Sequence, residues 1–116
     1  MWIMNTDGFF SVVKDDFCKR GQLVVRARRR GDLESLIKSA MDFGIIKSKV
    51  KIHKFDEADY LYRIYLNRTI FAEYLSMSGM FIDYPNFKAT LQKGDIDRHK
   101  AYYGCWRELL KLERGD

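Results

Sequence analysis

Nowhere in its 116 residues does the chain hold the roughly 18 to 20 consecutive apolar residues that a membrane-spanning helix needs. The opening MWIMNTDGFF lacks a charged leader and a long apolar run, and Asp7 and Gly8 interrupt it, so it does not read as a secretory signal. Cysteine is scarce. Cys18 and Cys105 are too few for a disulfide framework, and free thiols in a cytoplasmic chain are the expectation. Proline occurs once, at Pro85, and no low-complexity run or linker is visible, which argues against a disordered chain. Histidine occurs twice, at His53 and His99, without the one-turn spacing that a metal pair wants, so no metal site is expected. No motif calls for a cofactor, and none pairs a general acid with a base. The sequence therefore names no reaction, and a non-enzymatic role is favoured.

What is present is an apolar and aromatic core composition with a basic excess. Hydrophobic residues make up 47% of the chain and aromatics 15%, enough for one packed domain over residues 1–116. The net charge of +5 favours anionic partners, and its distribution matters more than its size. Arg26, Arg28, Arg29 and Arg30 cluster in one place, and Lys47, Lys49, Lys51 and Lys54 in another.

Periodicity divides the chain. Trp2–Met4 reads as a short strand or an N-terminal tuck, and Asn5-Thr6-Asp7-Gly8 as a turn. FFSVVK, residues 9–14, is rich in strand formers. In the next strand, residues 22–29, Leu23, Val25 and Ala27 fall on one face, and Val24, Arg26 and Arg28 on the other. Asp32 then reads as the N-cap of a helix that carries Leu33, Leu36, Ile37 and Ala40, with Gly44 as its stop. Two more strands are expected at residues 49–55 and 60–66. In the latter Tyr60, Tyr62, Ile64 and Leu66 share a face opposite Leu61, Arg63 and Tyr65, and alternation alone does not say which face is buried. A helix capped by Asn67 or Thr69 should end at Ser78-Gly79. Asn86 caps a short helix, and Asp95 caps the last one, where His99, Tyr102, Tyr103, Trp106, Leu109 and Leu110 recur at helical spacing. The expected fold is α+β: a four-stranded, mostly antiparallel sheet in the order ββαββααα, with helices packed on one face.

The segments GFFSVV (8–13), LVVRARRRGDLE (23–34), ADYLYRI (58–64), FAEYL (71–75), IDYPNFK (82–88) and the closing Arg98, Tyr102, Trp106 pattern together resemble an uncharacterised family of small bacterial and phage proteins. The resemblance covers most of the chain. It implies one intracellular domain and supplies no catalytic residue.

Three constellations carry the functional expectation. Arg26 and Arg28 should emerge on one sheet face with Arg63 beside them, and arginine grips phosphate bidentately at any relevant pH. Tyr62, with Tyr60 and Tyr65, could supply stacking surfaces, although a solvated face neutralised by Asp32, Glu34 and Asp59 would look similar. The stretch Ile82–Lys88 adds Tyr84 and Lys88 on a loop of defined shape, as the lip of a pocket or simply as a joint between helices. His99, four residues after Asp95, is a candidate ligand residue and the base that a small phosphodiesterase would need, or else a surface histidine. Cys105 reads as packing. Cys18, beside Lys19 and Arg20, would have a lowered pKa if exposed.

These features favour a non-enzymatic binding module for a phosphate-bearing anion, a nucleotide or nucleic acid, through Arg26, Arg28, Arg63, Tyr62, Tyr84, Lys88 and His99. Such a module suits a phage or host regulatory or sequestering protein. The alternative is a protein-interaction factor, an inhibitor or adaptor for a host protein, homodimeric through an aromatic and basic surface. No membrane is involved in either.

Overall fold

Five strands and three α-helices account for most of the chain: β1 (Trp2–Asn5), β2 (Gly8–Val13), β3 (Gln22–Ala27), α1 (Arg30–Asp42), β4 (His53–Lys54), β5 (Tyr62–Asn67), α2 (Arg68–Met80) and α3 (Ile96–Leu109), with 3-10 turns at Phe87–Thr90 and Leu110–Gly115. The structure is a computed structural model and describes residues 1–115. It divides into two compact units, Met1–Ile82 and the residues from Asp83 on. No change of composition marks the division, which falls inside the IDYPNFK stretch. No helix among the described residues is long and apolar enough to cross a membrane.

The first unit holds the sheet, in the order β1-β2-β3-β5-β4, with every pairing antiparallel. The fold is α+β as expected, with five strands instead of four. Trp2–Asn5 completes a hairpin with β2, because Asn5 closes a tight turn: its Oδ1 accepts from the backbone N–H of Asp7 (2.9 Å) and Gly8 (3.3 Å). Strand alternation decides the core. Phe10, Val12, Val25, Ala27, Ile64 and Leu66 point to one face, where they meet Leu33, Leu36 and Ala40 of α1 and Phe71 and Tyr74 of α2. The Ile64 face of β5 is thus the buried one.

Helix α1 starts earlier than the sequence predicts. Its N-cap is Arg29, and Asp32 lies in the first turn. Asp32 is buried there, because its carboxylate accepts from the Phe9 N–H (3.0 Å) across the seam between α1 and β2. Gly8, at φ +151°, leaves the room: a Cβ there would overlap the Asp32 carboxyl group. At the other end Gly44, at φ +75°, makes the expected stop. Its N–H donates to the Met41 carbonyl (2.9 Å) and that of Ile45 to the Ala40 carbonyl (2.8 Å), a Schellman closure. Helix α2 runs through Ser78-Gly79 to Met80 instead of ending there, and Phe81 beyond it stacks on Phe43 at 5.2 Å.

A polar knot ties the β1–β2 turn to both helices. The Asp7 carboxylate accepts from the hydroxyls of Ser35 (2.9 Å), Ser39 (2.8 Å) and Tyr74 (2.5 Å), and Asn5 Nδ2 donates to the Tyr74 oxygen (2.9 Å). Burial first, then the Asp7 hydrogen bond, pushes the Tyr74 hydroxyl far above the usual tyrosine range.

In the second unit Asn86 caps the 3-10 turn, accepting from the Lys88 N–H (2.9 Å), and Asp95 caps α3, accepting from the Arg98 N–H (3.2 Å), both as expected. Phe87 stacks on Tyr102, the one buried residue of α3. Cys105 is exposed, contrary to its expected packing role.

Candidate functional site: the arginine face of the sheet

Residues directly opposite one another on antiparallel strands point the same way. The registers Trp2↔Ser11, Ser11↔Arg26, Arg26↔Arg63 and Arg63↔His53 therefore line up one row across all five strands. This row lies on the face turned away from α1 and α2. Arg28, Phe9 and Tyr65 share its parity.

The arrangement is electrostatically awkward by itself, since Arg26 sits directly across from Arg63 and facing like charges weaken a sheet. The two guanidinium groups part to different neighbours. Arg26 donates from Nη2 to Ser11 Oγ (2.6 Å) and from Nε to the Ser11 carbonyl oxygen (3.5 Å), and it lies 4.8 Å from the centre of the Tyr60 ring. Arg28 lies over the same ring at 4.4 Å and donates to the Asp59 carbonyl oxygen (2.7 Å). Arg63 lies over Phe55 (5.0 Å) and pairs with Asp15 at 3.6 Å. Among the described residues no carboxylate lies in salt-bridge range of Arg26 or Arg28. The Asp15–Arg63 pair is incomplete as well: Asp15 Oδ2 and Arg63 Nε are buried with no hydrogen-bond partner.

Two expectations are corrected here. Tyr62 is not the aromatic of this face. It stands opposite Ala27 and packs against the core, because β5 begins at Tyr62. Tyr60 precedes the strand, escapes its alternation and swings to the arginine side, against Phe9 at 6.4 Å. At 4% exposure Tyr60 is a post that holds two guanidinium groups in place, not a surface free for stacking. The most exposed ring of this face is Trp2, at 76%; Phe55, 40% exposed, carries the Arg63 guanidinium. Trp2 continues the aromatic line through Phe9 (6.0 Å, edge to face), and His53 continues it from Phe55 (6.4 Å) to Tyr65 (5.6 Å).

The predicted strand at residues 49–55 shortens to His53–Lys54. Its lysine-rich first half leaves β5 and borders an open groove of about 650 Å³, with Lys47, Lys49, Lys51, His53 and Tyr65 among its walls. The loop between β2 and β3 reaches the same face, where Asp15 meets Arg63 close to Tyr65. Burial raises the pKa of Cys18 in that loop, the reverse of the lowering expected from Lys19 and Arg20.

The other candidates lie in the second unit, engaged within it. Tyr84 packs on Phe87 (6.2 Å), the Lys88 ammonium lies over Trp106 (4.4 Å), and a ring nitrogen of His99 is 3.0 Å from the Gln92 carbonyl oxygen. Arg98 takes the Asp95 carboxylate (3.0 Å) and donates to the Tyr102 hydroxyl (2.7 Å). Sequence reasoning missed Trp2 and Phe55 as members of the face, and Asp7, Ser35, Ser39 and Tyr74 as a knot. The i, i+4 spacing of Ser35 and Ser39 on an otherwise apolar stripe was the one available signal for the knot.

Comparison with protein-family models, curated proteins and solved structures finds no match.

Proposed function

We propose that the first unit is a non-enzymatic receptor for a phosphate-bearing anion, a nucleotide or nucleic acid, held on the sheet face by Arg26, Arg28 and Arg63. The observation that carries this reading is the convergence of Arg26 and Arg28 on the Tyr60 ring, two guanidinium groups with no carboxylate in salt-bridge range among the described residues. Tyr60 preorganises Arg26 and Arg28, so little side-chain freedom is left to lose on binding. Trp2 offers an exposed ring to a base, and guanidinium groups beside an open aromatic suit nucleotide chemistry. A sequestering or regulatory role goes with a receptor that holds such an anion without turning it over.

The exposed Trp2 favours a second reading, an aromatic patch that docks a protein partner or a second copy of this chain. Salt separates the two. Titration with a nucleoside triphosphate and with a mixed-sequence single-stranded oligonucleotide, followed by Trp2 emission with Trp2→Phe as control, should show binding that weakens steeply as salt rises. Arg26→Gln with Arg28→Gln should reduce it about tenfold or more. Absence of binding at low salt, or binding indifferent to salt and to those substitutions, would overturn the anion reading in favour of the protein-partner one.

A further inference from the structure

We infer that the ligand of the arginine face is a single-stranded polynucleotide several nucleotides long, whose backbone runs past His53 into the lysine-lined groove. The inference rests on the anion-receptor reading and gives its substrate class. One mononucleotide would engage one or two of the cations. The surface that carries Arg26, Arg28, Arg63 and the groove lysines is longer than that. The row from Trp2 to His53 crosses four inter-strand spacings of about 4.8 Å each, or about 19 Å in all. His53 then stands both at the end of this row and in the wall of the groove, so the two surfaces are continuous.

Inside the groove Lys47, Lys49 and Lys51 alternate along the chain, and among the described residues none has a carboxylate in salt-bridge range. Glu73 is the lone acidic residue of the wall. Such a strip of unneutralised charge complements a chain of phosphates, one phosphate per repeat.

An exposed aromatic decides in favour of unpaired bases. Trp2, 76% exposed, stands at the start of the track, and only an unstacked base can lie on its ring. A sheet face of this kind has no projecting helix or ribbon to enter a duplex groove. Asp15 opposes binding, because its carboxylate competes with phosphate for Arg63. Freeing Arg63 of that competitor should tighten the complex.

The test is fluorescence anisotropy on the full chain with labelled oligothymidylates of about 2 to 12 nucleotides, a labelled thymidine nucleotide and a duplex of the longest length, between about 50 and 200 mM salt. Affinity should rise with length and then level off, and single strand should exceed duplex. The triple variant Lys47→Gln, Lys49→Gln, Lys51→Gln should weaken the longest oligomer about tenfold or more and reduce its salt slope by about 2, leaving the mononucleotide unchanged. Asp15→Asn should tighten every ligand severalfold. A flat length profile, or a triple variant with an unaltered salt slope, overturns the track while the anion receptor stands. Duplex binding as tight as single strand overturns the unpaired-base assignment. No binding by any phosphate ligand overturns the receptor and the track together.

Discussion

On β3, Val25 and Ala27 turn toward the helices and are fully buried, while Arg26 between them turns the other way and stays partly in water. β5 repeats the contrast, with Ile64 and Leu66 on the helix side and Arg63 and Tyr65 on the other. The strands are shared, so backbone hydrogen bonding cannot distinguish the two faces. What differs is how each side chain meets its surroundings. The helix face gains from apolar area removed from water, roughly 25 cal/mol per Å², and tolerates no gap. The arginine face also buries Val24, Ser11 and Tyr60, but it sets arginines at facing positions of β3 and β5, held by aromatic rings and by a carboxylate pair at 3.6 Å.

Substitutions can break or sharpen this contrast. The largest loss should come at the seam that joins α1 to the sheet. Gly8→Ala forces a side chain into a left-handed backbone position and against Asp32, and should cost about 4 kcal/mol by chemical denaturation through strain and the lost Asp32–Phe9 bond. Wild-type stability in that variant would mean that the carboxylate is not fixed where it stands. Next comes Leu36→Ala in the fully buried stripe of α1, at about 3 kcal/mol from lost transfer energy and a residual cavity.

Smaller again is Tyr74→Phe, which removes the hydroxyl between Asn5 and Asp7 and should cost about 1–2 kcal/mol near neutral pH. The same variant has a pH signature. The folded state holds Tyr74 protonated beyond its ordinary value of about 10, so its contribution is complete below that pH and is lost as pH rises further. Thermal melts of the wild type above about pH 10 should therefore fall more steeply with pH than those of Tyr74→Phe. Tyr65, raised by burial and then by Asp15, leaves a residual slope in the variant. Equal slopes would show that Tyr74 titrates normally.

The smallest stability effect belongs to the arginine face. Arg26→Gln should change folding stability by less than about 1 kcal/mol, because it removes like-charge repulsion along with the Ser11 contacts, while it weakens phosphate binding about tenfold. A loss as large as that of Leu36→Ala would make Arg26 a structural residue and erase the distinction between the faces.

Much of the fold was legible because period-2 alternation in residues 22–27 and 62–67 and period-3.6 spacing in α1 are local properties. That Arg26 and Arg28 share a face followed from the same alternation, whereas Arg63 joins them through the register of β3 with β5. The failures share a physical cause. Asp32 looks like a cap by composition, yet a partner 23 residues away, the Phe9 N–H, decides its role. Tyr60 looks like a member of β5, yet the strand begins after it. The stretch from Lys49 alternates like a strand, yet pairs with β5 only at His53 and Lys54, leaving its lysines beside the groove.

Residue order alone therefore determined which side chains share a face within residues 22–27 and 62–67, where α1 stops, and that cations alternate with core positions there, since each depends on neighbours a few residues apart. Only the tertiary structure decided which face the helices cover, that Arg26 stands across from Arg63, and that Tyr60 rather than Tyr62 braces the guanidinium groups. Those outcomes depend on strand order and register, which are fixed by contacts between segments distant in the chain.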